Sequence, residues 1–68
     1  MASHTTILIV EDQPGVRDFL ADGLRLHGYQ AIAVCTVPEA EATRQRLGPG
    51  GIDLVIANIN KGLAPVIV

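Results

Sequence analysis

The sequence is poor in aromatic residues and holds a single cysteine, Cys35. One cysteine excludes an internal disulfide framework and a metal site built from several thiolates within these residues. Basic residues are in the minority, with five Lys and Arg against seven Asp and Glu, and the net charge is −2. This balance argues against electrostatic capture of nucleic acid or of an anionic membrane, so we expect neither as a partner.

Long apolar runs are also missing, and a membrane-spanning helix needs about 20 apolar residues. The first run, Ile7–Val10, ends at two carboxylates and has no basic segment before it, which does not fit a signal peptide. We therefore expect a cytoplasmic protein. Hydrophobic residues make up 49% of the chain and charged residues 18%, which is typical of a folded domain rather than a disordered tail. The 68 residues suffice for one small domain.

Short apolar runs alternate with helical patterns along the chain. The predicted strands are 7–10, 31–35 and 52–57. Pro14 opens a predicted helix that ends at Gly28, and Pro38 opens a weaker one that runs to Leu47. The first strand is apolar on both faces, as in a parallel sheet. An alternation of strand and helix is the pattern of right-handed crossovers, so the fold class is predicted to be α/β.

The first predicted helix carries an apolar stripe at spacings of three and four residues. Its members are Val16, Phe19, Leu20, Gly23, Leu24 and His27. We expect this stripe to pack in the core, with His27 a partly buried structural residue rather than a phosphodonor. Cys35 is expected to be a small buried strand residue, with redox sensing as the alternative.

Polar side chains follow two of the predicted strands. Glu11 and Asp12 end the first strand, and Asn58 ends the third, with Asn60 two residues later. Ligands of open parallel sheets bind at the carboxyl ends of the strands, so neighbouring first and third strands would bring these residues together. Paired carboxylates suit a hard cation such as Mg²⁺. The alternative for Glu11 and Asp12 is a solvated pair that caps the helix, and for Asn58 it is a turn residue.

Several segments resemble the receiver domain of response regulators in two-component signalling. Segment 7–20 (ILIVEDQPGVRDFL) resembles its opening, 26–29 (LHGY) the turn into its second strand, and 52–59 (IDLVIANI) the strand that carries the phosphorylated aspartate. The resemblance covers residues 6–60 and combines several motifs at the right spacing. It implies one partial receiver-like domain over 1–68, a truncated flavodoxin-like βαβαβ parallel sheet with helices on both faces.

The resemblance also implies residue roles. Asp12 matches the direct Mg²⁺ ligand, Glu11 its more remote acidic neighbour, and Asn60 the residue whose main-chain carbonyl binds the metal. Asn58 falls on the phosphoacceptor position, which is an aspartate in active receivers. A carboxamide is a poor oxygen nucleophile and removes one negative charge. We therefore expect an inactive phosphoacceptor position, weakened Mg²⁺ binding by Glu11, Asp12 and Asn60, no catalytic residue and no enzymatic activity.

Other family features are missing from the sequence. Lys61 and Gly62 stand where active receivers usually have a Met-Pro pair. The switch Ser/Thr and the lysine of the family follow later strands, beyond Val68. A naturally shortened receiver and a piece of a longer one both remain open.

The expected function is that of a degenerate receiver-like module of a phosphorelay, acting through protein–protein interaction. Two helices leave apolar surface uncovered on the first and third strands and on 66–68, which favours a homodimer or an exchange of elements. A histidine kinase or another response regulator is the other expected partner. The alternatives are a receiver phosphorylated on another carboxylate, such as Asp53 or Asp12, and a non-functional receiver fragment.

Overall fold

The computed structural model describes residues 5–59 of the chain. In chain order the elements are β1 (Thr6–Glu11), α1 (Pro14–Leu26), β2 (Gln30–Val34), α2 (Val37–Leu47) and β3 (Leu54–Asn58). The strands form one parallel sheet in the order β2-β1-β3. The predicted α/β class and the βαβαβ order are confirmed, and the strand ends lie within two residues of those predicted from the apolar runs.

The central position of β1 explains why its sequence is apolar on both faces. The chain crosses from β1 to β2 in one direction and from β2 over β1 to β3 in the other. Right-handed crossovers therefore place α1 and α2 on opposite faces of the sheet. Ile7 and Ile9 pack with Ala21 of α1, while Leu8 and Val10 point to the α2 face and are also buried. The expectation that the first strand keeps apolar surface uncovered is thus wrong, because neighbours flank it on every side.

The apolar stripe of α1 is narrower than its sequence suggests. Ala21 is buried, and the half-buried Leu20 and Leu24 pack beside it. Successive helical residues are about 100° apart, so Phe19 lies nearly opposite this stripe and is 77% exposed. His27 follows the last helical residue and is exposed as well. The predictions of a buried Phe19 and a partly buried His27 are therefore wrong.

A capping box begins α2. The Thr36 hydroxyl accepts a hydrogen bond from the Glu39 N–H, and the Glu39 carboxylate accepts from the N–H groups of Thr36 and Cys35. Caps of this kind stabilise the start of a helix, because they give partners to N–H groups that have none within the helix. Cys35 is half-buried and lies after β2 rather than within it, which corrects the prediction of a buried strand residue.

Both helices are short. Within residues 5–59, neither is long and apolar enough to cross a membrane.

Candidate functional site

Strand register brings two of the predicted site residues together. Glu11 is the last residue of β1 and pairs with Asn58, the last residue of β3. Paired residues of neighbouring strands point to the same face of the sheet. The Asn58 side-chain amide, through Nδ2, donates a hydrogen bond to Oε2 of Glu11 over 2.5 Å. The carboxyl ends of the first and third strands thus form one cluster, as expected from the sequence.

Glu11 is the buried member of this cluster, with 1% of its surface exposed. Its Oε1 accepts a hydrogen bond of 3.0 Å from the N–H of Gln13, and its Oε2 accepts from Asn58. A buried carboxylate without such partners would cost several kcal/mol, roughly the whole stability of a small domain. The Glu11 carboxylate thus accepts from one main-chain donor, the N–H of Gln13, and from one side-chain donor, the amide of Asn58, and together they make its burial tolerable.

Arg17 supplies a positive charge beside the cluster. Its Nη1 donates to the main-chain carbonyl of Glu11 over 3.2 Å, which ties the first turn of α1 to the end of β1. The pKa of Glu39 is lowered mainly by the hydrogen bonds from the N–H groups of Cys35 and Thr36, and the positive charge of Arg17 adds to this shift. One end of the sheet thus brings together the last residues of β1, β2 and β3 and the first turns of both helices.

The other predicted metal ligands are placed less centrally. Asp12 is half-buried in the bend that joins β1 to α1. Asn60 lies outside the described residues. The resemblance assigns the direct metal contact to Asp12 and a remote role to Glu11, whereas Glu11 is the carboxylate that contacts Asn58.

The described donor set fits a divalent cation poorly. Mg²⁺ needs several oxygen ligands in near-octahedral geometry, and both oxygens of Glu11 already accept hydrogen bonds from N–H donors. A cation would have to displace those donors. In residues 5–59 no group of three or more His, Cys, Asp or Glu is placed to hold a metal. Because Asn60 lies outside the described residues, magnesium binding by Glu11, Asp12 and Asn60 remains a prediction.

Asp53 lies at the other end of the sheet, where β1 and β3 begin. Its Oδ2 accepts a hydrogen bond of 2.8 Å from the N–H of Thr6, and its own N–H donates to the Thr6 carbonyl over 2.9 Å. These bonds join the start of β3 to the start of β1. Asp53 is separated from Asn58 by the length of β3, about 17 Å at 3.3 Å per residue. The sequence gives no signal for this contact, because it depends on the pairing of strands far apart in the chain.

An open groove of about 460 Å³ lies near the same end of the sheet as Asp53. It is bounded by the end of α2, by the loop after α2 and by β3. Arg44 and Gln45 of α2 line it, together with Ile52 and Val55. Arg44 is engaged by Glu41 on the helix surface, and this ion pair raises the pKa of the guanidinium and lowers that of the carboxyl. None of the residues that line the groove belongs to the Glu11 cluster, so the two sites are separate.

Comparisons of the chain with protein-family models, with curated proteins and with solved structures find no match. The receiver resemblance therefore depends on the sequence motifs and remains a prediction.

Proposed function

We propose that the chain is a degenerate receiver-like module of a two-component phosphorelay. In this proposal it acts in the cytoplasm through protein–protein interaction and accepts no phosphate of its own. The observation that carries the proposal is the position of Asn58, which ends β3 beside the buried Glu11. The β2-β1-β3 order supports it, because a flavodoxin-like sheet begins with the same arrangement.

The chemistry of an amide explains the lack of phosphate transfer. To form an acyl phosphate, a carboxylate oxygen attacks phosphorus while the donor's leaving group departs with its electron pair. In Asn58 the oxygen is a weak nucleophile because the amide is neutral, whereas the carboxylate of an aspartate carries a negative charge on its oxygens. The amide nitrogen is further engaged with Glu11. Asn58 therefore serves as a hydrogen-bond donor to the cluster.

Exposed apolar side chains offer contacts for a partner protein. Phe19 and Leu26, both on α1, are 77% and 86% exposed. Large apolar groups exposed on a helix are available for contacts that bury them against another protein. A histidine kinase or a second response regulator is the partner class that fits the proposed role.

Phosphorylation by a small-molecule donor tests the proposal. The protein is incubated with acetyl phosphate and Mg²⁺, and its intact mass is measured. We expect no added phosphoryl group on the wild-type chain, and a gain of one on Asn58→Asp, which restores a carboxylate at the end of β3. Phosphorylation of the wild-type chain would contradict the proposal. Peptide mapping of the modified residue would then test the other carboxylates, Asp12 first because it adjoins Glu11.

A further inference from the structure

The outer edge of β3 has no strand beside it in the part of the chain that the structure describes. Within residues 5–59, β3 pairs with β1 and with no other strand. Leu54 and Val55, whose side chains point to opposite faces of the sheet, are 53% and 52% exposed. The edge is therefore open along its main chain and on both faces.

The register of the sheet shows which main-chain groups of β3 point to this open edge. Thr5 accepts a hydrogen bond from β2, so Ile7, two residues later, also turns its main-chain groups toward β2. Leu54 lies opposite Ile7. In a parallel pair, the residue opposite one that faces away bonds to the two neighbours of that residue. Leu54 and every second residue after it therefore bond to β1, whereas Val55 and Ala57 turn their N–H and C=O groups outward.

The segment that follows β3 has the composition of a hairpin turn and an edge strand. Residues 60–68 lie outside the described residues, and their sequence is NKGLAPVIV. Residues 66–68 are β-branched, which favours a strand. A parallel strand would need a crossover of about a dozen residues or more, and 59–64 is too short for one. An antiparallel return needs a loop of only about two to five residues, and Asn60 and Gly62 are typical of such loops.

We propose that residues 64–68 of the chain itself pair antiparallel with the outer edge of β3, and that residues 60–63 form the turn. A second copy or a separate protein would lose translational freedom on binding to this edge. The segment that directly follows β3 is held beside the edge by the chain, at a high effective concentration. This covalent link is the reason to assign the edge to the chain's own segment.

Pro65 sets the register of this pairing, because it has no N–H to donate. Each outward-facing residue of β3 exchanges both N–H···O bonds with the residue opposite it in an antiparallel pair. Pro65 therefore does not fit opposite Val55 or Ala57. It fits opposite Asn58, where its ring nitrogen faces away from β3 as prolines of edge strands do. Val66 then lies opposite Ala57 and exchanges both bonds with it.

The same register places apolar side chains where β3 is exposed. Residues directly opposite each other on neighbouring strands share a face of the sheet. Ile67 lies beside Ile56 on the α1 face, and Val68 lies beside Val55 on the α2 face, next to the groove. Leu54 and Val55 are the exposed apolar residues of these two faces. The proposed strand thus covers apolar surface as well as main-chain groups.

Hydrogen exchange at the N–H groups of Val55 and Ala57 tests the proposal in the full chain. The pairing with β1 uses neither group, so each is protected only if another strand covers the edge. We expect both to exchange at least about tenfold more slowly than in an unfolded chain, and at the same rate over a range of protein concentrations. Exchange at the unfolded rate would overturn the proposal. Protection that grows with concentration would also overturn it, because the edge would then belong to a second copy.

Two proline variants test the register. Val66→Pro removes the N–H that bonds to Ala57, whereas the N–H that Ile67→Pro removes faces away from β3. We expect Val66→Pro to speed exchange at Ala57 by about tenfold or more, and Ile67→Pro to leave it close to wild type. The N–H of Ile9 in β1 reports whether each variant stays folded, and the wild-type result decides if one does not. Equal exchange at Ala57 in the two folded variants would contradict the register. These outcomes are independent of whether Asn58 accepts phosphate.

Discussion

Asn58→Asp is expected to lower the free energy of unfolding at neutral pH and to make it depend on Mg²⁺. The substitution removes the amide donor from Glu11 and places a second carboxylate against a side chain that is 1% exposed. Loss of the donor alone costs about 1–3 kcal/mol. Two carboxylates at this distance also raise the pKa of one of them, because both cannot be charged without a cation between them.

The pH dependence of this variant follows from the direction of that shift. A carboxyl group whose pKa is raised in the folded state stabilises the fold below its unfolded pKa, and this contribution is lost as the pH rises through the folded pKa. The free energy of unfolding that Asn58→Asp loses relative to wild type should therefore be small in acid and largest at neutral pH. Urea unfolding at both pH values, with and without millimolar Mg²⁺, measures it. Asn58→Ala is the control, which should lose stability without gaining a response to Mg²⁺. An Asn58→Asp chain as stable as wild type at neutral pH without Mg²⁺ would show that the contact is unimportant.

Removal of the Glu11 side chain is expected to have the largest effect on folding. Glu11→Ala leaves a cavity beside Ile9 and takes the acceptor from both Gln13 and Asn58. We expect a loss of about 3 kcal/mol or more, which is a large part of the stability of a domain of this size. Thermal and urea unfolding measure it, with Asp18→Ala on the exposed side of α1 as a control that should stay close to wild type.

Exchange of the two side chains separates hydrogen bonding from the loss of bulk. Glu11→Gln keeps an oxygen that accepts from the Gln13 N–H and turns its NH₂ toward position 58. If the Asn58 amide rotates so that its oxygen accepts from this NH₂, we expect the free energy of unfolding to fall by no more than about 1 kcal/mol. The double variant Glu11→Gln with Asn58→Asp rebuilds an amide–carboxylate bond in the opposite direction. It should recover most of the stability that Asn58→Asp loses. A double variant as unstable as the sum of its single changes would mean that the two side chains are not coupled.

Local patterns were sufficient to predict the order of the elements. The apolar run before Glu11, the proline at position 14 and the glycine at position 28 mark a strand, a helix start and a helix end. Gly28 has a φ of +88°, the left-handed backbone that glycine adopts at the end of a helix. The Thr36–Glu39 capping box was also present in the sequence as a Thr-x-x-Glu pattern, and it could have placed the start of α2 one residue earlier.

Tertiary pairing decided what those patterns left open. Spacing alone put Phe19 on the buried stripe, but the sheet contacts α1 through Leu20, Ala21 and Leu24 instead. The greater importance of Glu11 over Asp12 follows from register, because Glu11 is the residue that faces Asn58 across the two strands. Neither result can be read from spacing along the chain.

The most direct test of the Asn58–Glu11 contact is the NMR signal of the Asn58 side-chain NH₂ during a titration with Mg²⁺. We predict that one of its two protons shows the shift of a hydrogen-bonded amide, and that the signal stays in place through millimolar Mg²⁺. The reason is that Glu11 is already satisfied by Asn58 and Gln13. A saturable shift of the Asn58 signal at lower Mg²⁺ would contradict this, since it would mean that the cation displaces the amide from the carboxylate.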